Sequence, residues 1–386
     1  MNKIVKKEYS EDKKGRMANL ELLRCLAMMM VVVLHFLGKG NLLGDLAAGK
    51  IGNVGTAAWL LEAFCIVAVN LYMMISGFFL CESSFKLSRL LKLVLQVWSY
   101  SVGVGLVAVL LGFVPEGERG TFYFLQLLFP ISMGHYWFLT AYIFLYLLTP
   151  FLTIAVQRMT KEQLRTAVIL LLVVFCGMKS ILPVRLEMDS KGYDCLWYIC
   201  VFLTAAYLRR YGMPSLERGH RALVLYVLSV LGIFAELMCL HVLYGKTGKL
   251  GLLLTVSVEY NHILPFLAAV GLFISFLKIQ LTGSFARLVC RIAPYTLGVY
   301  LLHENLGVRN VWQSWFGAER IASVGELVFR TCMAVVVMFS AGIAVDWLRA
   351  ILMRGLHGVL VHVGGYRKLM EGIGRGDTRF RQQSKE

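Results

Sequence analysis

Charge is scarce in this chain. Only 16% of its 386 residues are Asp, Glu, Lys or Arg, against 58% hydrophobic, and a soluble domain is excluded on that ratio, because ordinary soluble chains carry about a quarter charged residues. Cys-x-x-Cys pairs are absent. The nine cysteines (Cys25, Cys65, Cys81, Cys176, Cys195, Cys200, Cys239, Cys290 and Cys332) nearly all stand within or at the ends of apolar stretches. They signal neither a zinc site nor a disulfide framework, and they are expected to pack as small hydrophobes. A phosphate-cradling glycine loop is also missing; GVGLVAVLLG (103–112) reads as a close helix-packing face. There is no obvious internal repeat or low-complexity tract, and no room for an appended soluble domain, since spans and short loops use nearly every residue.

What is present is a series of apolar runs of the length a ~30 Å hydrocarbon core requires. They predict an all-α polytopic integral membrane protein with about ten transmembrane helices, near 18–38, 57–80, 93–114, 136–156, 166–184, 194–209, 221–243, 252–277, 292–308 and 326–352. Residues 122–133 (FYFLQLLFPISM) are apolar but short and broken by Pro130, and are expected to lie at the outer surface as an interfacial or re-entrant piece. Pro265 and Pro294 are expected to kink their helices.

The net charge of +16 does not imply nucleic acid, because the basic residues sit between and beyond the apolar runs, as topology signals do. With both termini cytoplasmic, about 27 of the 39 Lys and Arg fall inside and about 10 outside, leaving Arg24 and Arg330 within spans. The polar start (MNKIVKKEYSEDKKGR) is followed by a run long enough to span and by no small-residue cleavage site, so no cleaved signal peptide is expected. The domain reading is a tail at 1–17, a membrane domain at 18–352 and a basic tail at 353–386. That last tail is expected to be disordered and without chemistry, with LHGVLVHV on the inner leaflet.

Two ionisable residues interrupt the first apolar run, Arg24 and His35. Eleven helical steps of ~100° make three turns plus ~20°, so both leave one helix face, ~16 Å apart. Such groups persist in a membrane mainly where they face a bundle interior, a water-filled cavity or each other. The plainer alternatives are a core histidine bonded to a carbonyl, and an intrahelical pair of Arg24 with Glu21.

The run LELLRCLAMMMVVVLHF (20–36) resembles the first span of the acyltransferase 3 family of integral-membrane acyltransferases. VNLYMMISGFFL (69–80), HYWFLTAYIFLYLLTP (135–150) and YTLGVYLLHENLGVR (295–309) continue the likeness in order; the most similar subgroup is that of polysaccharide O-acetyltransferases. The resemblance implies transfer of an acyl group, usually acetyl, from cytoplasmic acyl-CoA to a glycan hydroxyl on the outer side of the cell membrane. No tightly bound cofactor is implied, acetyl-CoA being a substrate. His35 would take a proton from the hydroxyl or carry the acyl group, and Arg24 would hold an anionic partner. The alternative on the same fold is a carrier or binding protein for a small solute or sugar lipid.

A second polar group lies in the ninth run, where His303 and Glu304 are followed by Asn305 and Arg309. Adjacent helical residues point ~100° apart, so only one of the first two is expected to meet His35; Glu304 would orient an imidazole, as in triad chemistry. The alternative is that both are merely interfacial. His135 precedes Trp137 and is expected to contact acceptor or headgroups. Tyr136, Trp137, Tyr142 and Tyr146 suit either a sugar-facing wall or an interfacial belt. No histidine pair has zinc-motif spacing, and no metal is expected.

In FKLSRLLKLVLQ (85–96), Lys86, Arg89 and Lys92 recur at spacing three. The family often has arginines there. Lysine still neutralises CoA phosphates but lacks the bidentate fork, and the positive-inside rule accounts for these residues equally well. Glu62, Asn70, Glu236, Glu259, Asn261 and Asp346 need partners inside spans, either lining the pocket or bonding between helices; Asn70 and Asn261 are placed with the acceptor site.

Overall fold

The computed structural model describes residues 16–48, 50–181 and 189–383, with side chains to Phe380. The predicted tail 1–17 lies almost wholly outside them. Among the described residues every regular element is a helix, with no β-strand. The apolar runs become helices because a hydrocarbon phase leaves backbone N–H and C=O groups no partner but each other. The large apolar side chains left exposed, such as Leu110, Phe151, Leu228, Phe329 and Leu352, sit on these helices. Buried among the helices, by contrast, are charged and polar residues including Glu21, Lys179, Glu259, Glu304 and Asp346. Apolar outside and ionisable inside is the inverse of a soluble domain, and it marks a multi-pass membrane protein.

Among the described residues nine segments are long and apolar enough to cross a membrane: Ala18–Lys39, Asn53–Leu80, Leu87–Leu110, Trp137–Arg158, Lys161–Ile181, Arg221–Thr247, Gly251–Leu277, Gly283–His303 and Val324–Leu360. The remaining predicted span, 194–209, is the helix Cys195–Tyr211, at 17 residues about 25 Å long.

The chain divides into two compact units. Unit 1 holds residues up to Phe78, Met159–Pro294 and Gln313–Val337; unit 2 holds Phe79–Arg158, Tyr295–Trp312 and Met338 onward.

In unit 1, α1 (Ala18–Lys39) is continuous and is followed by α2 (Asn53–Cys65) and α3 (Ala68–Leu80), the last of which ends in unit 2. Both ends of α1 are pinned. Asn19 Nδ2 donates to Phe276 O at 2.9 Å and Arg16 to Cys290 O at 2.9 Å; at the other end Phe36 meets Phe316 edge-on, with ring centroids 6.3 Å apart.

Several unit 1 spans are interrupted. The predicted run 252–277 is helical only over Ile263–Leu277, preceded by short 3-10 turns. Pro265 therefore falls in a first turn, where its missing N–H costs nothing, and does not kink the helix interior. The run Lys161–Ile181 contains a π turn at Val173–Gly177. The freed polar groups find side chains. Asn70 donates to Tyr260 O at 2.8 Å and accepts from Trp197 Nε1 at 2.9 Å. Lys179 Nζ reaches Asn261 Oδ1 at 2.7 Å, Asp189 at 2.7 Å and Glu259 at 2.5 Å, while Asn261 Nδ2 donates to Asp189 at 2.8 Å. Burial pushes the Asp189 carboxyl up, but the bonds from Lys179 and Asn261 outweigh it and hold the group below the ordinary carboxylate range.

In unit 2, α4 (Leu87–Leu110) packs against α5 (Thr121–Leu128). At eight residues α5 cannot cross a bilayer. Its inner side bonds α4 through Ser101 Oγ to Leu127 O at 2.8 Å, and Phe122, Leu125 and Leu128 are exposed, as an interfacial helix requires. A Cβ on Gly105 would meet Leu127 at 2.6 Å, so the glycine stretch 103–112 is a packing face at that point. The α6 (Trp137–Arg158) and α14 (Thr296–His303) helices complete the site-bearing part, and a 3-10 turn carries Pro294 just before α14. All nine cysteines are free, and six are buried, in keeping with packing.

The basic tail is not the disordered extension expected. The last long helix, α15, runs Val324–Leu360 and a further helix, α16, covers Gly364–Gln383. Its order comes from tertiary contacts that its glycine-rich composition conceals.

Lys179→Met leaves Asp189 and Glu259 buried without the cation they share, Glu259 keeping only the more exposed Lys191 at 3.5 Å, which costs about 3–5 kcal/mol; thermal unfolding in detergent should show a large fall in midpoint, partly restored by Lys179→Met with Asp189→Asn and Glu259→Gln.

Candidate active site

The two ionisable residues of α1 lie on one unbroken helix, so their separation along it is ~16 Å, set by a 1.5 Å rise per residue. Arg24 Nη1 pairs with Glu21 Oε2 at 2.8 Å, the arginine side chain 27% exposed and the glutamate 8%. The intrahelical pair is thus real, and it engages only one of the guanidinium's N–H donors. Tyr72 of α3 donates its hydroxyl to Arg24 O at 3.0 Å. At the other end the backbone of His35 accepts from Gln313 Nε2 at 3.4 Å. His35 itself is half-buried.

Unit 2 holds the second polar group. His303 is fully buried, and Nδ1 lies 2.6 Å from Val299 O. A carbonyl only accepts, so Nδ1 carries a proton. Trp312 and Tyr300 meet the ring edge-on at 5.8 and 6.1 Å. Glu304 ends the helix and is 4% exposed. Both residues are buried in the protein, at the point where the helix ends.

Asn305 ties this turn to its neighbours. Its Nδ2 faces Tyr100 O at 3.1 Å and the Tyr136 hydroxyl at 3.3 Å, and its Oδ1 accepts from Gly307 N at 3.1 Å. Tyr136 in turn donates to Leu301 O at 3.0 Å. Burial raises the Tyr136 pKa further above its ordinary value, against a hydrogen bond from Asn305 that lowers it. Tyr136 is enclosed, and so is Tyr146, whose hydroxyl donates to Lys86 O at 3.1 Å. Nine residues of α6 separate Trp137 from Tyr146, about 13 Å, so the four aromatics do not share one depth. The ladder the helix builds is Phe138, Tyr142 and Tyr146, stacked at 6.3 and 6.4 Å.

His135 stands just before α6, 7% exposed, with its ring against Tyr136 at 4.2 Å. Neither ring nitrogen has a hydrogen-bond partner. Its pKa is pushed down to about 4 by burial and by Arg309, with Glu304 opposing, so the imidazole is neutral at physiological pH.

The basic trio at α4 is solvent-facing. Lys86 precedes the helix in extended conformation, and Arg89 and Lys92 lie within it. Asn70 and Asn261 belong to the hydrogen-bonded network of unit 1, their amides already bonded to protein groups. Asp346 accepts from Gln96 at 2.9 Å and Arg349 at 2.7 Å. Lys179 escaped the sequence reading although an ionisable residue at the end of an apolar run was the signal for it; the tie made by Gln313 had no such signal.

A multi-pass helical protein with imidazoles and carboxylates in its interior is built for chemistry or passage across a membrane. An acyltransferase domain model matches residues 17–353, and the chain belongs to this acyltransferase 3 family, a family of integral-membrane acyltransferases. Neither a curated protein nor a solved structure matches the chain.

The His135 shift predicts a pH effect with a definite sign. The unfolded imidazole titrates near 6.5 and the folded one near about 4, so the fold binds fewer protons in between. Its contribution is complete above ~6.5 and is lost as pH falls toward ~4. Unfolding midpoints across that range should decline less steeply in His135→Phe than in wild type.

Proposed function

We propose that this chain is a membrane O-acyltransferase that moves an acyl group, acetyl being the expected one, from acyl-CoA at the cytoplasmic face to a hydroxyl of an extracytoplasmic or lipid-linked glycan. The site of action is the plasma membrane, with both chain termini inside. The observation that carries this reading is α1 itself, one unbroken helix holding Arg24 and His35 ~16 Å apart on one face, in a chain of a membrane acyltransferase family. That is a distance of the order spanned by the pantetheine arm of a CoA thioester.

In this proposal Arg24, Lys86, Arg89 and Lys92 take the anionic part of the donor. His35 accepts the proton of the attacking hydroxyl as the new C–O bond forms and the C–S bond breaks, and CoA leaves as its thiol. A histidyl-acyl intermediate is the other use of the same imidazole. Glu304 and His303 serve the proton transfer, the carboxylate by stabilising positive charge on an imidazole. His135 and Trp137 are assigned to the acceptor, supported for His135 by two buried nitrogens with no protein partner, a costly arrangement unless a ligand uses them. Asn70, Asn261 and Tyr136 are assigned to holding the site, since their polar atoms are occupied by protein groups. Family membership weighs against a carrier.

Turnover of labelled acetyl-CoA by purified protein in nanodiscs tests this. His35→Ala should lose about 10²–10⁴-fold in rate with insertion and unfolding midpoint retained, and Arg24→Ala should weaken donor binding. Wild-type turnover in His35→Ala would sink the proposal. Glu304→Gln should lower kcat and move the pH profile, with little change in donor affinity.

A further inference from the structure

The C-terminal helix α16 is an unlikely helix on its own. Gly372, Gly374 and Gly376 lie in its interior, where each disfavours helix relative to alanine. None is there for close packing, because a Cβ at any of the three would meet nothing within 4 Å. Yet Tyr366, Met370, Ile373, Asp377 and Phe380 recur at spacings of four and three, forming one face.

That face closes on the start of α4. Asp377 Oδ2 accepts from the Ser88 hydroxyl at 2.5 Å and Oδ1 from the Ser88 N–H at 3.2 Å. The Phe380 ring meets Phe85 edge-on, centroids 5.0 Å apart, and Phe85 rests on Tyr146 at 5.1 Å. Ser88 is the second residue of α4, whose preceding residue, Lys86, gives no side-chain cap. Its N–H has no partner within the helix, and a carboxylate from almost three hundred residues away supplies one. Lys86, Arg89 and Lys92 flank the contact and are exposed. A carboxylate at a helix N-terminus beside three cations occupies the position that suits a phosphate.

We propose that α16 is an autoinhibitory strap: Asp377 stands in for a phosphate of the donor at Ser88, and binding of a CoA-type phosphate ester displaces it and releases the helix. This rests on the reading of Lys86, Arg89 and Lys92 as donor-binding residues. The interior glycines keep the helix weak enough to be released. A cap that merely stabilises α4 would need no such weakness.

The test is binding of coenzyme A to the full chain in nanodiscs, by calorimetry. Asp377→Asn and Phe380→Ala should each tighten the Kd about five- to tenfold, the reciprocal of the fraction of molecules with the strap open. The triple change Gly372→Ala, Gly374→Ala and Gly376→Ala should weaken it by a similar factor. Phe380→Ala alters no charge, so a gain there separates displacement from simple electrostatics. Glu371→Gln removes the same charge from an exposed position on α16 and should leave the Kd as it was. Hydrogen exchange across 364–380 should rise when coenzyme A is added to wild type. Coenzyme A binding with one Kd in wild type, Asp377→Asn, Phe380→Ala and the triple variant would overturn the strap and spare the donor reading. No binding to any form would overturn both.

Discussion

Charge without water is the constraint on which this structure depends. An ionised group in an apolar interior is tolerable only with partners in reach, and the chain meets that demand by local and distant means. Arg24 takes its partner from the same helix, Glu21 at 2.8 Å. Lys179 takes three, from a loop and from the stretch before Ile263. The same demand governs the backbone. Where the runs at 161–181 and 251–277 depart from regular helix, Asn70, Asn261 and Ser180 bond the main chain, the last accepting from Ile263 N at 2.9 Å.

These ties position chemistry as well as maintain the fold. Fixing α1 at both of its ends fixes the spacing of Arg24 and His35, since a straight helix has no freedom to change the distance between two of its residues. In unit 2 the enclosed network of Asn305, Tyr136 and Leu301 holds the turn that bears His303 and Glu304. Substituting these residues would disturb the geometry of groups they never need to touch during a reaction.

His135 and Asp189 show how one force gives opposite outcomes. Both are drawn out of water, which favours the neutral form of each. His135 meets Arg309, which adds to that effect, and becomes a neutral imidazole. Asp189 meets Lys179 and Asn261, which reverse it, and stays a carboxylate. The first arrangement suits a ligand-facing group and the second a structural one.

Composition and the lengths of apolar runs determined the helical membrane class, because hydrocarbon solvation acts on stretches of about twenty residues whatever their neighbours. Helical geometry likewise determined that Arg24 and His35 share a face, since a fixed 100° step needs no knowledge of packing. The tertiary structure alone decided which polar residues are bonded to one another. Nothing local distinguishes Asn70, bonded to Trp197 and Tyr260, from a pocket-lining asparagine, because its partners lie more than a hundred residues away. Nor does a glycine-rich basic tail announce that it forms a helix; that order depends on Phe85 and Ser88, which propensity cannot see.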